Sequence, residues 1–119
     1  MIIGIGTDIV HISRIQDLLT KFGDKFTARI LSPSEIATYN SGGKKISFLA
    51  KRFAAKEAVS KALGTGIGKD IEFKDIIISN NGSGGPIVTI DRDIAVGKNI
   101  FISIADEVDV AVAFAVVSR

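Results

Sequence analysis

The sequence predicts an α+β fold, a single domain over residues 1–119 built around an antiparallel sheet. Its length is the usual size of one domain and leaves little room for a second core. Apolar residues recur at helical spacing through most of the first half, whereas the last third reads as strands between short turns. No repeat, linker or low-complexity segment divides the chain.

The first half opens with one predicted strand, followed by helices. β-branched residues from Ile2 to Val10 predict the strand, and an amphipathic helix follows it as far as Gly23. A short helical piece is predicted over residues 26–31. The next helix opens with the capping box Ser32-Pro33-Ser34-Glu35 and ends near Asn40.

The longest predicted helix runs from Ile46 to Leu63, and Gly64 ends it. Beyond it we predict strands over residues 73–79 and 86–90, and a closing hairpin of residues 100–104 with residues 108–117. The last of these segments is so uniformly apolar that we expect one of its faces to meet a helix or another subunit.

Composition excludes several classes of protein. Hydrophobic residues make up 46% of the chain, and no apolar run approaches the ~20 residues that span a bilayer. No secretory leader is recognisable, so we predict a cytoplasmic protein with no membrane partner. The absence of cysteine excludes disulfides and thiolate metal sites. Aromatic residues make up 7% and do not alternate with basic ones, so we expect no nucleic-acid partner.

The net charge is only +2, but the cations are concentrated in two segments. Each segment is either a solvated helix face or a surface for an anionic ligand and an acidic partner. The first contains Lys44, Lys45, Lys51, Arg52, Lys56 and Lys61 around the single acid Glu57. The second contains Arg14, Lys21, Lys25 and Arg29, with Asp17 and Asp24.

Two carboxylates stand in unusual places. Asp8 lies in an otherwise apolar strand, where a charge needs a partner, a helix to cap or a metal. Glu57 alone would be explained by an i,i+4 pair with Lys61, which stabilises a helix by ~0.2–0.5 kcal/mol. Because Mg²⁺ prefers one or two protein carboxylates with waters and phosphate oxygens, Asp8 and Glu57 together form a candidate Mg²⁺ site.

The glycine-rich run from Gly64 to Gly68 follows a helix, whereas a phosphate-binding loop precedes one. An anion here would be held by Lys61 and a metal, while the glycines allow close backbone approach. The alternative is a plain helix stop. His11 is the only histidine, and we expect it to pack at a surface or interface without a catalytic role.

Four motifs of the chain match those of a known family. They are GIGTDIV with Ile12 and Arg14 after it, the segment FLAKRFAAKEAVSKALGTGIG, the pair Gly85-Pro86, and the closing SIADEVDVAVA. On these motifs, nearly the whole chain resembles the holo-[acyl-carrier-protein] synthases, the short bacterial type of 4′-phosphopantetheinyl transferase.

The resemblance implies Mg²⁺-dependent transfer of phosphopantetheine from coenzyme A to a serine of acyl carrier protein, for fatty acid biosynthesis. The implied catalytic residues are Asp8 and Glu57, which would bind the metal, and Lys61, which would contact the pyrophosphate. Arg52 would bind the 3′-phosphate of coenzyme A. The nucleotide would be lined by Gly64, Thr65, Gly66, Gly85 and Pro86.

The implied partner is an acidic carrier protein, for which the basic helix with Arg14, Lys21, Lys25 and Arg29 is the natural docking surface. Members of the short branch are typically trimeric, which implies a homotrimer with active sites at subunit interfaces. The proton of the serine would pass to a carboxylate or to a metal-bound water, and the sequence does not choose between them.

The chain departs from the family at two places. Many members have Ser-His where this chain has Ala105-Asp106, so no role of that histidine carries over, and His11 stands where the family often has glutamate. Two other classes of function stay open. A noncatalytic coenzyme A or nucleotide-binding module would not need Asp8, and a basic adaptor for an acidic protein or RNA would need neither carboxylate.

Overall fold

The computed structural model describes all residues from Met1 to Arg119 and confirms the predicted α+β class with antiparallel sheets. Two short 3-10 turns, Phe73–Asp75 and Asp93–Ala95, accompany the regular elements. These are β1 (Ile2–His11), α1 (Ile12–Phe22), α2 (Asp24–Ile30), α3 (Pro33–Ser41), α4 (Ile46–Leu63), β2 (Ile76–Asn80), β3 (Pro86–Ile90), β4 (Asn99–Asp106) and β5 (Val110–Ser118).

The strands form two separate antiparallel sheets. The larger has the order β1-β5-β4, so the apolar final strand lies in its centre, and β2 pairs only with β3. The strand predicted from Phe73 begins later, at Ile76, because the Asp75 carboxylate accepts a hydrogen bond from the Glu72 amide at 2.8 Å. That local capping bond competes with the extended backbone and produces a 3-10 turn.

Helix α4 packs across the larger sheet and forms the centre of the core. It contacts all three strands of that sheet, and its buried side chains include Ala54, Ala58 and Ala62. The facing side of β5 is lined by small residues as well, among them Ala111 and Ala113. Small side chains on both surfaces let the helix axis lie close to the sheet. The prediction that one face of β5 meets a helix is confirmed.

Glycines bring β1 closest to α4. A Cβ placed on Gly4 would collide with the carbonyl oxygen of Ala62, and one on Gly6 would collide with that of Ala58. Glycine within a strand often marks such a close approach of backbone to backbone. These two positions therefore fix the distance between β1 and α4. Asp8 is the next residue of β1 on the same side, so this distance also sets how close its carboxylate lies to α4.

The opposite face of the larger sheet is open and apolar. Ile5 and Ile9 of β1 are 62% and 66% exposed, and Phe101 of β4 and Phe114 of β5 are 59% and 46% exposed. Single exposed apolar residues are common on proteins, but here they share one sheet face. None of the helices is both long and apolar enough to cross a membrane.

Candidate active site

Asp8 is placed beside α4 by the alternation of β1. Gly4, Gly6, Asp8 and Val10 lie on the side of the strand that faces the helix. Lys61 reaches across from α4, and its Nζ donates to Asp8 Oδ1 and to the carbonyl oxygen of Thr7, both at 3.0 Å. Asp8 does not cap α1, whose N-cap residue is His11. The charge in the apolar strand thus has an ion-pair partner.

Glu57 lies one helical turn before Lys61 but does not form an ion pair with it, because Lys61 pairs with Asp8 instead. Burial raises the pKa of the Glu57 carboxyl, and the negative charge of Asp8 raises it further. The positive charges of Lys61 and Arg14 oppose this rise in pKa. The negative charge of ionised Glu57 is therefore only partly neutralised by nearby cations, whereas a carboxylate in an ordinary surface ion pair has a direct partner.

This donor set fits a divalent cation. The two carboxylates come from different elements, β1 and α4, and the charge of Asp8 raises the pKa of Glu57. A cation between them would relieve that repulsion, and hard cations such as Mg²⁺ take carboxylate oxygens while keeping sites for water and phosphate. The chain places no third acidic or histidine side chain in a metal-holding group, so most ligands would come from solvent or substrate.

The glycine-rich segment ends α4 in the predicted way. Gly64 has a left-handed backbone with φ of 84°, and its amide donates to the Lys61 carbonyl oxygen at 3.0 Å. The amides of Thr65 and Gly66 both donate to the carbonyl oxygen of Ser60 at 3.1 Å. All three amides are used in capping the helix, so a phosphate here would be bound by side chains such as that of Lys61.

Lys56 is not available to an anionic ligand, so the prediction that placed it among the ligand-binding cations is wrong. It is fully buried, and its Nζ donates to Glu35 Oε1 and to the carbonyl oxygen of Ile30, both at 2.6 Å. Glu35 Oε1 also accepts the Ser32 amide of the capping box at 3.0 Å. Burial lowers the pKa of Lys56, and Glu35 opposes that shift. Lys56 is a structural residue.

Arg52 belongs to the same buried cluster but also reaches a cleft. Its Nε lies 3.3 Å from Glu35 Oε2, without a hydrogen bond of good geometry, and its guanidinium carbon lies 4.6 Å from the centre of the Phe48 ring. Burial lowers its pKa, and Glu35 opposes the shift. The cleft, of about 280 Å³, is lined by Phe48, Lys51, Arg52, Asn80, Gly84, Pro86, Ile104 and Asp106.

The predicted nucleotide residues therefore separate into two places. Pro86 lines the cleft with Arg52, and the neighbouring Gly85 has its amide bound to the Asn81 side chain at 2.9 Å. Gly64, Thr65 and Gly66 lie at the end of α4, next to Lys61. No residue lines both the Arg52 cleft and the groove that contains Glu57.

That groove, of about 320 Å³, combines cations with apolar side chains. It is lined by Arg14, Leu18, Phe22, Lys25, Phe26, Arg29, Ile30, Phe53, Glu57 and Phe73. Three of the four predicted docking cations thus lie beside Glu57, and Arg14 is 5.7 Å from the centre of the Phe53 ring. Lys21 is not among the lining residues, and its ammonium lies over the ring of Phe22.

Sequence reasoning missed two contributions to the site. Gly6 allows β1 to approach α4, and the signal for it was a glycine inside a strand pattern. Glu35 was predicted only as a capping residue, yet its carboxylate also binds Lys56 and lies beside Arg52. No local sequence pattern links residues that are this far apart in the chain.

The chain is similar to known proteins over nearly its whole length. Residues 4–115 match the family model of the 4′-phosphopantetheinyl transferase superfamily. The holo-[acyl-carrier-protein] synthase of Ehrlichia chaffeensis is 50% identical over 119 residues, which cover 98% of this chain and 96% of the relative.

Solved structures share the fold over the full length. A holo-[acyl-carrier-protein] synthase from Neisseria meningitidis superposes with a TM-score of 0.92 at 41% identity and covers 100% of both chains. The Helicobacter pylori synthase in complex with coenzyme A gives a TM-score of 0.88 at 41% identity, covering 96% of this chain and 99% of that one. These matches confirm the predicted family and enzyme class: the chain belongs to the 4′-phosphopantetheinyl transferase superfamily.

Proposed function

We propose that this chain, as one transferase domain over residues 1–119, transfers 4′-phosphopantetheine from coenzyme A to a serine of acyl carrier protein. The relatives named as holo-[acyl-carrier-protein] synthases and the coenzyme A complex of one of them support the substrates. The observation that carries the proposal is the convergence of Asp8, Glu57 and Lys61, two carboxylates and a cation from β1 and α4.

Asp8 and Glu57 would hold the metal, and Mg²⁺ is the cation that best suits two carboxylates acting together with phosphate oxygens. When bound, it would supply positive charge to the pyrophosphate as negative charge develops there. The supporting observation is the raised pKa of Glu57, which reflects burial and the negative charge of Asp8.

Lys61 would align and stabilise the pyrophosphate. Its ammonium is held by Asp8 and by the Thr7 carbonyl, yet the side chain is 48% exposed, so it has a donor left for a ligand. In the reaction a serine oxygen bonds to the phosphorus of phosphopantetheine, the pyrophosphate bond breaks, and adenosine 3′,5′-bisphosphate leaves. The serine proton would pass to the carboxylate of Asp8 or Glu57 or to a water at this cluster, and catalysis would be mainly alignment and charge stabilisation.

The nucleotide end of coenzyme A would lie in the Arg52 cleft, with the 3′-phosphate at the guanidinium and the base near Pro86. In one subunit this cleft shares no lining residue with the groove at Glu57. The open apolar face of the larger sheet gives a second subunit a place to pack. We therefore propose a homotrimer whose active sites lie between subunits, each combining the carboxylates of one with the cleft of another.

The groove beside Glu57 would receive the carrier protein. Arg14, Lys25 and Arg29 provide positive charge around an apolar floor, which suits an acidic surface with an apolar centre. We expect Arg14→Ala to raise KM for the carrier protein by ~10-fold and to change kcat little. A ~10-fold change corresponds to the loss of about one charge-assisted hydrogen bond. Steady-state kinetics with Lys21→Ala as the control would test this, and an unchanged KM would move docking elsewhere.

The decisive experiment is incubation with apo acyl carrier protein, coenzyme A and Mg²⁺, followed by intact mass spectrometry. The proposal expects the mass of one phosphopantetheine group on the carrier protein, and loss of that product when EDTA removes the metal. Binding of coenzyme A without transfer would instead support a noncatalytic module. Binding of the carrier protein alone would support an adaptor. With this substrate, we further propose that the protein is cytoplasmic and acts in fatty acid biosynthesis.

A further inference from the structure

The Arg52 cleft contains one acidic side chain among its cations. Asp106 is the last residue of β4 and lines the cleft together with Lys51 and Arg52. Its Oδ1 lies 3.8 Å from Lys51 Nζ, and the two side chains are 37% and 38% exposed. This is a solvent-accessible ion pair at the opening of the cleft rather than a buried structural one.

The charges at this cleft are nearly balanced without a ligand. Glu35 lies 3.3 Å behind the buried side of Arg52, and Asp106 faces Lys51 at the exposed side. An incoming phosphate would therefore compete with Asp106 for Lys51 and approach a like charge, while Arg52 and Lys51 attract it. Asp106 opposes phosphate binding at the place where the cations favour it.

We propose that Asp106 is a specificity-determining residue that weakens the affinity of the cleft for a phosphate on the nucleotide. It rests on the proposed function, because it takes the phosphate in the Arg52 cleft to be the 3′-phosphate of coenzyme A. As a consequence, the cleft would favour 3′-phosphorylated nucleotides over nucleotides without that group by a smaller factor than it would without the charge of Asp106. It would also release adenosine 3′,5′-bisphosphate faster.

The test is calorimetric titration with adenosine 3′,5′-bisphosphate and with adenosine 5′-monophosphate at low ionic strength. Asp106→Asn keeps the shape of the side chain, and Asp93→Asn, an exposed acid outside the cleft, is the matched control for net charge. We expect Asp106→Asn to lower the Kd for the bisphosphate by about two- to fivefold, which corresponds to the energy of an exposed ion pair. The Kd for the monophosphate should fall by less. The gain should shrink as salt is added.

Lys51→Met provides the second arm. In its background Asp106→Asn should lose part of its effect, because one of the two charges that Asp106 engages is gone. No tightening by Asp106→Asn, equal tightening of both nucleotides, or the same gain in Asp93→Asn would each overturn the inference, as would failure of the bisphosphate to bind. The titration needs neither carrier protein nor metal, so its outcome is separate from that of the transfer assay.

Discussion

Two neighbouring residues of α4, Lys56 and Glu57, belong to charge clusters of opposite character. They point about 100° apart around the helix. Lys56 is fully buried between Glu35 and the end of α2, whereas Glu57 is half-buried at the edge of the groove, near Asp8 and Arg14. One helix thus contributes to a structural cluster of Glu35, Arg52 and Lys56 and to the proposed reactive cluster of Asp8, Glu57 and Lys61.

The clusters differ in how completely their groups are paired. Glu35 accepts from Lys56 and from the amides of Ser32 and Ile78, and the buried Lys56 has two short hydrogen bonds. In the other cluster, Asp8 has Lys61 while Glu57 has no ion-pair partner. A buried charge is stable only when it is paired and hydrogen-bonded, whereas a binding site needs charged groups that are still free to contact a ligand. The degree of pairing therefore distinguishes the two clusters better than their number of charges does.

The largest expected effect is on the structural cluster. Glu35→Gln leaves Lys56 and Arg52 buried without a counter-charge, and we expect the free energy of unfolding to fall by about 3–5 kcal/mol, as for other broken buried pairs. Chemical denaturation would measure this. In the double variant with Lys56→Met, Arg52 is the only cation left without its counter-charge, and part of the loss should be recovered. Additive losses would show that the pair is not the source of the stability.

The reactive cluster should show the reverse pattern, loss of turnover without loss of fold. Asp8→Asn and Glu57→Gln are each expected to lower kcat by at least ~100-fold, the usual scale for removing a group that stabilises developing charge. The transfer assay and circular dichroism would be run side by side, with the exposed Asp17→Asn as control. A near-normal rate in either variant would remove that carboxylate from the proposed metal site.

Gly6→Ala tests the contact that holds the reactive cluster together. The added methyl would meet the Ala58 carbonyl oxygen, so β1 must move away from α4, at a cost of about 1–3 kcal/mol in unfolding free energy. Because Asp8 is two residues further along β1, turnover should fall as well. Gly82→Ala, where no atom lies within contact, is the matched control. Normal turnover in a destabilised Gly6→Ala protein would separate the packing from the catalysis.

The smallest expected effect concerns pH. The pKa of Glu57 is raised in the folded state, so its ionised form disfavours folding above that pKa and has no effect below the pKa of the unfolded chain. In metal-free protein we therefore expect Glu57→Gln to be more stable than the parent at neutral pH, by less than about 1 kcal/mol for this partly exposed group. Thermal denaturation should show this advantage disappearing at low pH, and a constant difference at every pH would contradict it.

Much of this comparison could be predicted from local sequence patterns. Helix α4, its Gly64 cap and the capping box at Ser32 depend on neighbouring residues and were predicted with bounds close to those observed. The pairing of Asp8 with Glu57 was also predicted, because an acid in an apolar strand and an acid among lysines are each unusual. Their proximity is supported by the effect of Asp8 on the pKa of Glu57.

The orientation of Lys56 could not be predicted in this way. Its neighbours along the helix include Arg52 and Glu57, and only the folded chain brings Glu35 to it. Burial of a lysine requires a partner from elsewhere in the fold, and a sequence pattern does not show which distant carboxylate will arrive. The late start of β2 was missed for a different reason, since a side-chain capping bond at Asp75 outcompeted extended backbone over Phe73–Asp75.

The hydrogen bond between the Ile78 amide and Glu35 Oε2, at 3.3 Å, has a consequence for solubility. Strand β2 pairs with β3 on one side only, and its other edge is buried beside α3, where it cannot act as a template for a strand of another molecule. Glu35 occupies a donor on that edge with a side-chain oxygen. A substitution that removes this carboxylate would therefore leave a strand-edge amide unpaired as well as two buried cations, and we expect aggregation to accompany the loss of stability.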